Sequence, residues 1–334
     1  MAPRLSGFTR ASSLGPIAEF MDRQGGSIWR VLKAVDLPFV LLDDPDVIVP
    51  LREQFRLLER AARETGDEFF GARLGQVVRS RDLSRFGAWV CAGKTLREAI
   101  ARAHAGLNSM LQTSTVLRLV ERGDTTVWSI EFVEPETEGR HHNELLGVSY
   151  LIDTVRTYAG AGWRPDAVFT ALPRGTPCAR LEEIFGSNVS HGHPVSAIVF
   201  ETALLRSVIP SVAQVSAEAL AAEAFIPEQR DALATIAAVT DLALHEGYPR
   251  VDWVAAKLGT TRRSLQRLLS RHEMTFNRVV EQALMRRAVS RLADRNAAIT
   301  DIALELGYAD GAHFTRAFRR WTGMAPSAYR QNLV

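Results

Sequence analysis

Four side chains within one short stretch have the chemistry that reads base pairs: Arg262, Arg263, Gln266 and Arg267. An arginine fork meets O6 and N7 of guanine with two parallel hydrogen bonds, and a glutamine amide meets N6 and N7 of adenine, so the set suits the major groove of DNA. A second set follows at Ala312, His313, Thr315 and Arg316, with Arg319 and Arg320 beyond it. Other chemistry is thinner. His141-His142-x-Glu144 and His191-x-His193 contain metal-binding residue types, but neither has a third ligand at a recognisable spacing; surface or strand-end positions are expected for them, and no metal. Gly160-x-Gly162 lacks the rest of a dinucleotide fingerprint. No Ser or Cys stands in a nucleophile motif, and Cys91 and Cys178 are expected to serve as small buried hydrophobes. Neither a catalytic residue nor a cofactor is expected.

The elements that must carry the base-reading side chains are written twice. Val251-Asp252-Trp253-Val254-Ala255-Ala256-Lys257-Leu258-Gly259 recurs as Ile299-Thr300-Asp301-Ile302-Ala303-Leu304-Glu305-Leu306-Gly307, 48 positions on, and Leu265-Gln266-Arg267-Leu268-Leu269 matches Phe314-Thr315-Arg316-Ala317-Phe318 at an offset of 49. In the first copy Val251, Val254, Ala255 and Leu258 make one apolar stripe on a short helix. Gly259 ends that helix, Thr260 or Thr261 caps the next, and Leu265, Leu268 and Leu269 turn inward, which leaves the arginines and Gln266 outside. In the second copy Asp310 is the cap, Phe314, Phe318 and Trp321 form the apolar face, and Gly323 is the stop. These are two helix-turn-helix units, at about 251–272 and 299–322. Residues 275–294 hold no Pro or Gly and keep helical spacing, which predicts a linker helix roughly 30 Å long. Successive major grooves on one face of DNA repeat at about 34 Å, so this length suits adjacent grooves. A last short helix is expected over 327–332.

Charge locates the same region. Residues 251–334 hold 14 Lys and Arg against 7 Asp and Glu, whereas the first 250 hold 26 against 31. A basic footprint of this kind binds phosphates in a salt-dependent way. Each arginine also has a quieter role open to it. Arg286, Arg287, Arg319 and Arg320 suit solvent or phosphate, Arg267 and Arg316 suit a carboxylate within their own unit, and His313 suits a helix surface without a partner.

Upstream, helical spacing occurs over 27–35, 51–65, 96–110 and 143–161. Alternating, β-branched runs at 116–120 and 126–133 flank Arg122-Gly123-Asp124 as a hairpin, and strands are expected at 167–172 and 197–201. The sum is an α+β domain. With 334 residues, two domains each have room for a core, and the Ala/Glu-rich segment 214–227 places the boundary within about 205–230, as a helix or a tether. The division is therefore 1–225 (core about 20–210) and 226–334. No apolar run is long enough to span a membrane, nothing reads as a secretory signal, and a cytoplasmic location is expected.

The run Ile302-Ala303-x-x-Leu306-Gly307-Tyr308-x-Asp310-x-x-x-Phe314-x-Arg316-Ala317-Phe318-Arg319-Arg320-Trp321-x-Gly323-x-x-Pro326-x-x-Tyr329-Arg330 resembles the signature of the AraC/XylS family of bacterial transcription regulators. The resemblance implies a bundle of about seven helices over residues 230–332. It also implies that Arg263, Gln266 and Arg267 face bases in one unit and Ala312, His313, Thr315 and Arg316 in the other. It departs at Leu284, where members often carry an arginine, and a phosphate contact from that position is put in question. Asp44-Pro45-x-x-x-x-Pro50-Leu51, Phe70-Gly71-x-x-Leu74-Gly75, Thr95-Leu96-x-Glu98-Ala99 and Ala197-x-Val199-Phe200 resemble the arabinose-binding-type effector and dimerisation domain of some members. Its effector-binding residues are not identifiable from sequence. The partners implied are double-stranded DNA, a small-molecule effector, a second copy of the chain and, as a further candidate, RNA polymerase.

Three functions are weighed. The leading one is an effector-controlled, dimeric transcription regulator. The second is a regulator whose N-terminal half only dimerises or binds a protein. The third is a DNA-binding enzyme fusion such as an alkyl-transfer repair protein, which needs an activated Cys that the sequence does not offer.

Overall fold

A computed structural model describes residues 5–134, 137–209, 226–227 and 231–333. The chain divides into two compact units, one of residues 6–229 and one taking in residues 230–334. The expected boundary segment, 205–230, falls largely on residues outside that description.

The N-terminal unit runs β1 (Phe8–Arg10), α1 (Ile17–Arg23), α2 (Ile28–Val35), α3 (Val40–Asp43), β2 (Ile48–Pro50), α4 (Leu51–Thr65), α5 (Phe70–Leu74), α6 (Ser84–Cys91) and α7 (Leu96–Gly106). It continues through β3 (Thr115–Arg122), β4 (Thr125–Phe132), α8 (Arg140–Ala159), β5 (Ala167–Phe169), α9 (Ala179–Phe185), β6 (Asn188–Ser190) and β7 (Ser196–Glu201). A five-stranded sheet has the order β3-β4-β7-β5-β6, antiparallel except for the β5–β6 pair. In β4, Thr126, Trp128, Ile130 and Phe132 alternate onto one buried face, and across the β4–β7 pair Trp128 stands opposite Ile198. Alternation of this kind is what a sheet with one covered face requires. The cover is α8, which packs on β4 and β7 and also meets α4, α5 and α7, so its buried residues run almost all the way round.

The expected hairpin is present, with Arg122 opposite Thr125. Strand β5 ends earlier than the expected 167–172, because its partner β6 offers only three residues and Pro173 follows. The Phe70-Gly71 and Leu74-Gly75 pairs have a packing explanation. A Cβ on Gly71 would lie 1.9 Å from the His142 carbonyl oxygen, and one on Gly75 would lie 2.0 Å from Ser149 Oγ. Only glycine lets α5 come this close to α8.

The C-terminal unit is helical: α10 (Ala232–Ala243), α11 (Val251–Lys257), α12 (Arg262–Ser270), α13 (Phe276–Ala293), α14 (Ile299–Glu305), α15 (Gly311–Thr322) and α16 (Pro326–Asn332). These seven described helices match the number that the family resemblance implies. The linker helix α13 has 18 residues, about 27 Å at 1.5 Å each, with Thr275 Oγ1 accepting from Arg278 N at its start.

Candidate nucleic-acid interface and effector cavity

The duplication extends to individual backbone hydrogen bonds. In the first unit Leu258 N donates to Val254 O, Gly259 N to Ala256 O and Thr260 N to Ala255 O. In the second, Leu306 N donates to Ile302 O, Gly307 N to Leu304 O and Tyr308 N to Ala303 O. Gly259 and Gly307 both have positive φ, at 68° and 81°. A side chain would strain that backbone, so both short helices end in the same way. The extra residue of the second copy lies in its turn, where Tyr308 tilts against Phe314 and Trp321 with ring centroids 5.6 Å and 6.3 Å away.

The second helix of each unit is then started by a side chain. Of the two candidate caps, Thr261 is the one used, and its Oγ1 accepts from Ser264 N at 3.2 Å. Asp310 Oδ1 accepts from His313 N at 2.7 Å. Leu265, Leu268 and Leu269 are buried in α12, and Phe314, Ala317 and Phe318 in α15. This fixes which side chains remain outside. Arg262, Arg263, Gln266 and Arg267 are exposed on α12, and Ala312, His313, Arg316, Arg319 and Arg320 on α15; Thr315 is half-buried, with Oγ1 donating to Gly311 O at 2.7 Å.

Their partners differ from several expectations. Arg267 and Arg316 have no carboxylate partner among the described residues, and neither do Arg263 and Arg319. Arg262 instead reaches Asp252 at 3.3 Å, across the first unit, and Arg320 reaches Glu281 on α13 at 2.7 Å. His313 is not without a partner: Nδ1 lies 2.8 Å from Asp310 Oδ2, the same carboxylate that caps its helix. The backbone N–H of His313, and then that pairing, hold Asp310 below the usual carboxylate range. Arg286 binds Asp241 Oδ2 and Arg287 donates to Asp241 O, so both tie α13 to α10. Leu284 is buried, which removes it from any phosphate contact.

In the N-terminal unit a void of about 80 Å³ lies between α8, the sheet and α6, with α7 and the π-helical turn Leu107–Leu111 completing the wall. Trp128, Phe132 and Phe86 supply aromatic surface. Its polar side is a buried chain: Ser13 Oγ donates to Gln54 Oε1 at 2.7 Å, and Gln54 Nε2 to Asn143 Oδ1 at 2.7 Å. Nothing in the sequence marks these residues as neighbours, since they come from a 3₁₀ turn after β1, from α4 and from α8.

The histidine motifs behave unequally. His142 is buried within α8 rather than at the surface. Glu59 of α4 comes within 3.7 Å of its Nε2, a neighbour that spacing along the chain could not reveal. Burial, and secondarily His141, pushes His142 down to about 3. Glu59 also pairs with Arg63 at 2.9 Å. His191 and His193 sit at the end of β6 as expected, His191 Nδ1 on Thr170 Oγ1 and His193 stacked on Phe169. Cys91 is buried and its thiol is pushed up to about 11 by that burial, the opposite of activation; Cys178 is half-buried. Among the described residues no helix is long and apolar enough to cross a membrane.

The family models agree with this architecture. Residues 25–208 match the arabinose-binding domain of AraC transcription regulators, N-terminal, and residues 254–332 match a helix-turn-helix domain. The ornithine utilization regulator of Pseudomonas aeruginosa is 39% identical over 90 residues, 27% of this chain and 26% of that one. VirS of Mycobacterium tuberculosis is 22% identical over 342 residues, covering 98% of this chain and 97% of its own. The crystal structure of the regulator CdpR from Pseudomonas aeruginosa is 22% identical, with 91% of this chain and 97% of that chain covered at a TM-score of 0.39. Since the N-terminal match alone takes in more than half of the sequence, the chain belongs to the AraC/XylS family: it is a sequence-specific DNA-binding transcription regulator with an arabinose-binding-type N-terminal domain, and not an enzyme.

Proposed function

We propose that the chain reads DNA with α12 and α15 as a dimer and that a small molecule in the N-terminal cavity controls it. Arg263, Gln266 and Arg267 take one segment of major groove, and His313, Thr315 and Arg316 take the next. Ala312 lies beside them at a base-facing position, and Arg262, Arg319 and Arg320 flank them on sugar and phosphate. The observation that carries this reading is that Arg263, Arg267 and Arg316 are exposed on capped helices and have no protein partner among the described residues. A guanidinium left free in this way has both its donor edges available to guanine.

The test is selection of duplexes from a randomised pool by the full chain at about 0.15 M salt. Each protomer is expected to enrich two short blocks about one helical turn apart, about 10 base pairs. Enrichment of one block, or of none, refutes the paired reading.

Dimerisation is assigned to residues 1–225, and the DNA-binding role to 226–334. A fragment of residues 226–334 that sediments as a dimer overturns that assignment. The effector acts by having different affinities for two arrangements of the dimer, which is all that such coupling needs. RNA polymerase is a further candidate partner, and a cytoplasmic location is compatible with the regulatory role.

A further inference from the structure

The void in residues 6–229 has no Asp, Glu, Lys, Arg or His in its lining. We infer that the effector is a small, uncharged and mainly apolar molecule with one hydrogen-bond acceptor, such as a hydroxyl, ether or carbonyl oxygen, that meets the Asn143 amide. This rests on the reading of the cavity as the effector site and adds the chemical class.

Asn143 Oδ1 is committed to Gln54, whose own carbonyl is committed to Ser13. Ser13 Oγ lies 2.7 Å from both the Arg10 carbonyl and Gln54 Oε1; with its one proton on Gln54, the chain sets the Asn143 amide so that Nδ2, which donates to no group among the described residues, belongs to the cavity wall. Tyr150 Oη donates to the Ser13 carbonyl, so the phenol is not available to the ligand as a donor. Of the other polar lining residues, Ser80 Oγ and Thr154 Oγ1 donate to the Tyr150 carbonyl and Gln112 Nε2 donates to Thr115 Oγ1; the rest of the wall is aliphatic and aromatic, which favours hydrocarbon.

A carboxylate effector would find no cation here. The charged groups acting on Tyr150 are Asp153 and Asp82, and Asp153 accepts from Ser80 N at 2.6 Å. Asp153 is also paired with Arg79 at 3.9 Å, so that cation is already engaged; an anion in the void would be buried without a lining cation, and a cation without a lining carboxylate. Size is bounded too. A void of about 80 Å³ is about half of the roughly 150 Å³ apolar cavity that takes up benzene, so a single ring enters only as the walls give. The segment suited to yield is α6 with its lead-in, because Ser84 sits at φ 52° and the helix has no side-chain cap.

The experiment titrates the purified full chain with four probes of similar size: benzyl alcohol, toluene, benzoate and benzylammonium, read by calorimetry and by thermal shift. Benzyl alcohol is expected to bind saturably, about fivefold tighter than toluene and more than about a hundredfold tighter than either ion. In Asn143→Leu the difference between alcohol and toluene should vanish while toluene still binds. Ala103→Leu, which fills the void, should remove binding of all four. If benzoate or benzylammonium binds within tenfold of the alcohol and Ala103→Leu abolishes that binding, the cavity reading stands and the neutral class falls. If no neutral probe binds, or binding survives Ala103→Leu, both fall. The wild-type series decides the matter even where Asn143→Leu does not fold.

Discussion

Replacing Arg267 by Ala separates base reading from structure more sharply than any other single change. The side chain is exposed, no carboxylate among the described residues holds it, and α12 is fixed by the Thr261 cap and by Leu265, Leu268 and Leu269. Truncation therefore removes nothing that the fold uses, and stability should change by no more than about 0.5 kcal/mol. On a selected duplex the loss of a bidentate contact should cost about 1–3 kcal/mol, roughly 5- to 150-fold in affinity. Arg262→Ala is the internal control. Arg262 must give up its 3.3 Å pair with Asp252 to meet DNA, and an exposed pair is worth about 0–1 kcal/mol, so its replacement should cost less. The assay is fluorescence anisotropy on the selected duplex and on a scrambled one, at two salt concentrations, beside a thermal melt. Arg267→Ala should weaken only the selected duplex and leave the salt slope intact. An equal loss on both duplexes, with the slope reduced by about 0.9, would make Arg267 a phosphate contact; a lowered melting temperature would make it structural. Either result refutes the base-reading assignment.

Three further outcomes follow from packing and ionisation. Phe314→Ala, at a fully buried position between Tyr308 and Phe318, should cost about 3–5 kcal/mol in urea unfolding and abolish specific binding; a loss below about 1 kcal/mol would contradict the second core. Gly71→Ala should destabilise the N-terminal unit by at least about 1–3 kcal/mol, because the new methyl meets backbone rather than a side chain that can turn aside; wild-type stability would show that α5 and α8 do not cross so closely. His142 stays neutral in the fold down to about pH 3, while in the unfolded chain it protonates near 6.5. Its contribution is thus present above about pH 6.5 and is lost as the pH falls, by roughly 2–3 kcal/mol at pH 4.5. His142→Gln should flatten that part of the stability profile, and an unchanged slope between pH 6.5 and 4.5 would refute the assignment.

The C-terminal unit was legible because each of its rules is local. Stripes at helical spacing, a glycine after each short helix and a capping side chain all act within a few residues, so the repeat at 48 positions could be read as structure. The ion pairs were less legible. Arg262–Asp252 and Arg320–Glu281 depend on how helices cross, and nothing in the spacing shows that the carboxylate capping α15 also takes the His313 ring three residues on. In the N-terminal unit the long helices and the hairpin announced themselves, whereas β1, β2 and β6 have three residues each, too few for a period to register.

The sequence by itself determined the two readers, their caps and stops, the helix between them and the side chains they turn outward, because helical geometry converts spacing directly into a face. The tertiary structure alone decided the cavity, the chain from Ser13 through Gln54 to Asn143, the burial of His142 beside Glu59 and which arginines of α12 and α15 have no partner among the described residues. The reason is distance along the chain: those neighbours come from separate elements, and only packing brings their side chains within hydrogen-bonding reach.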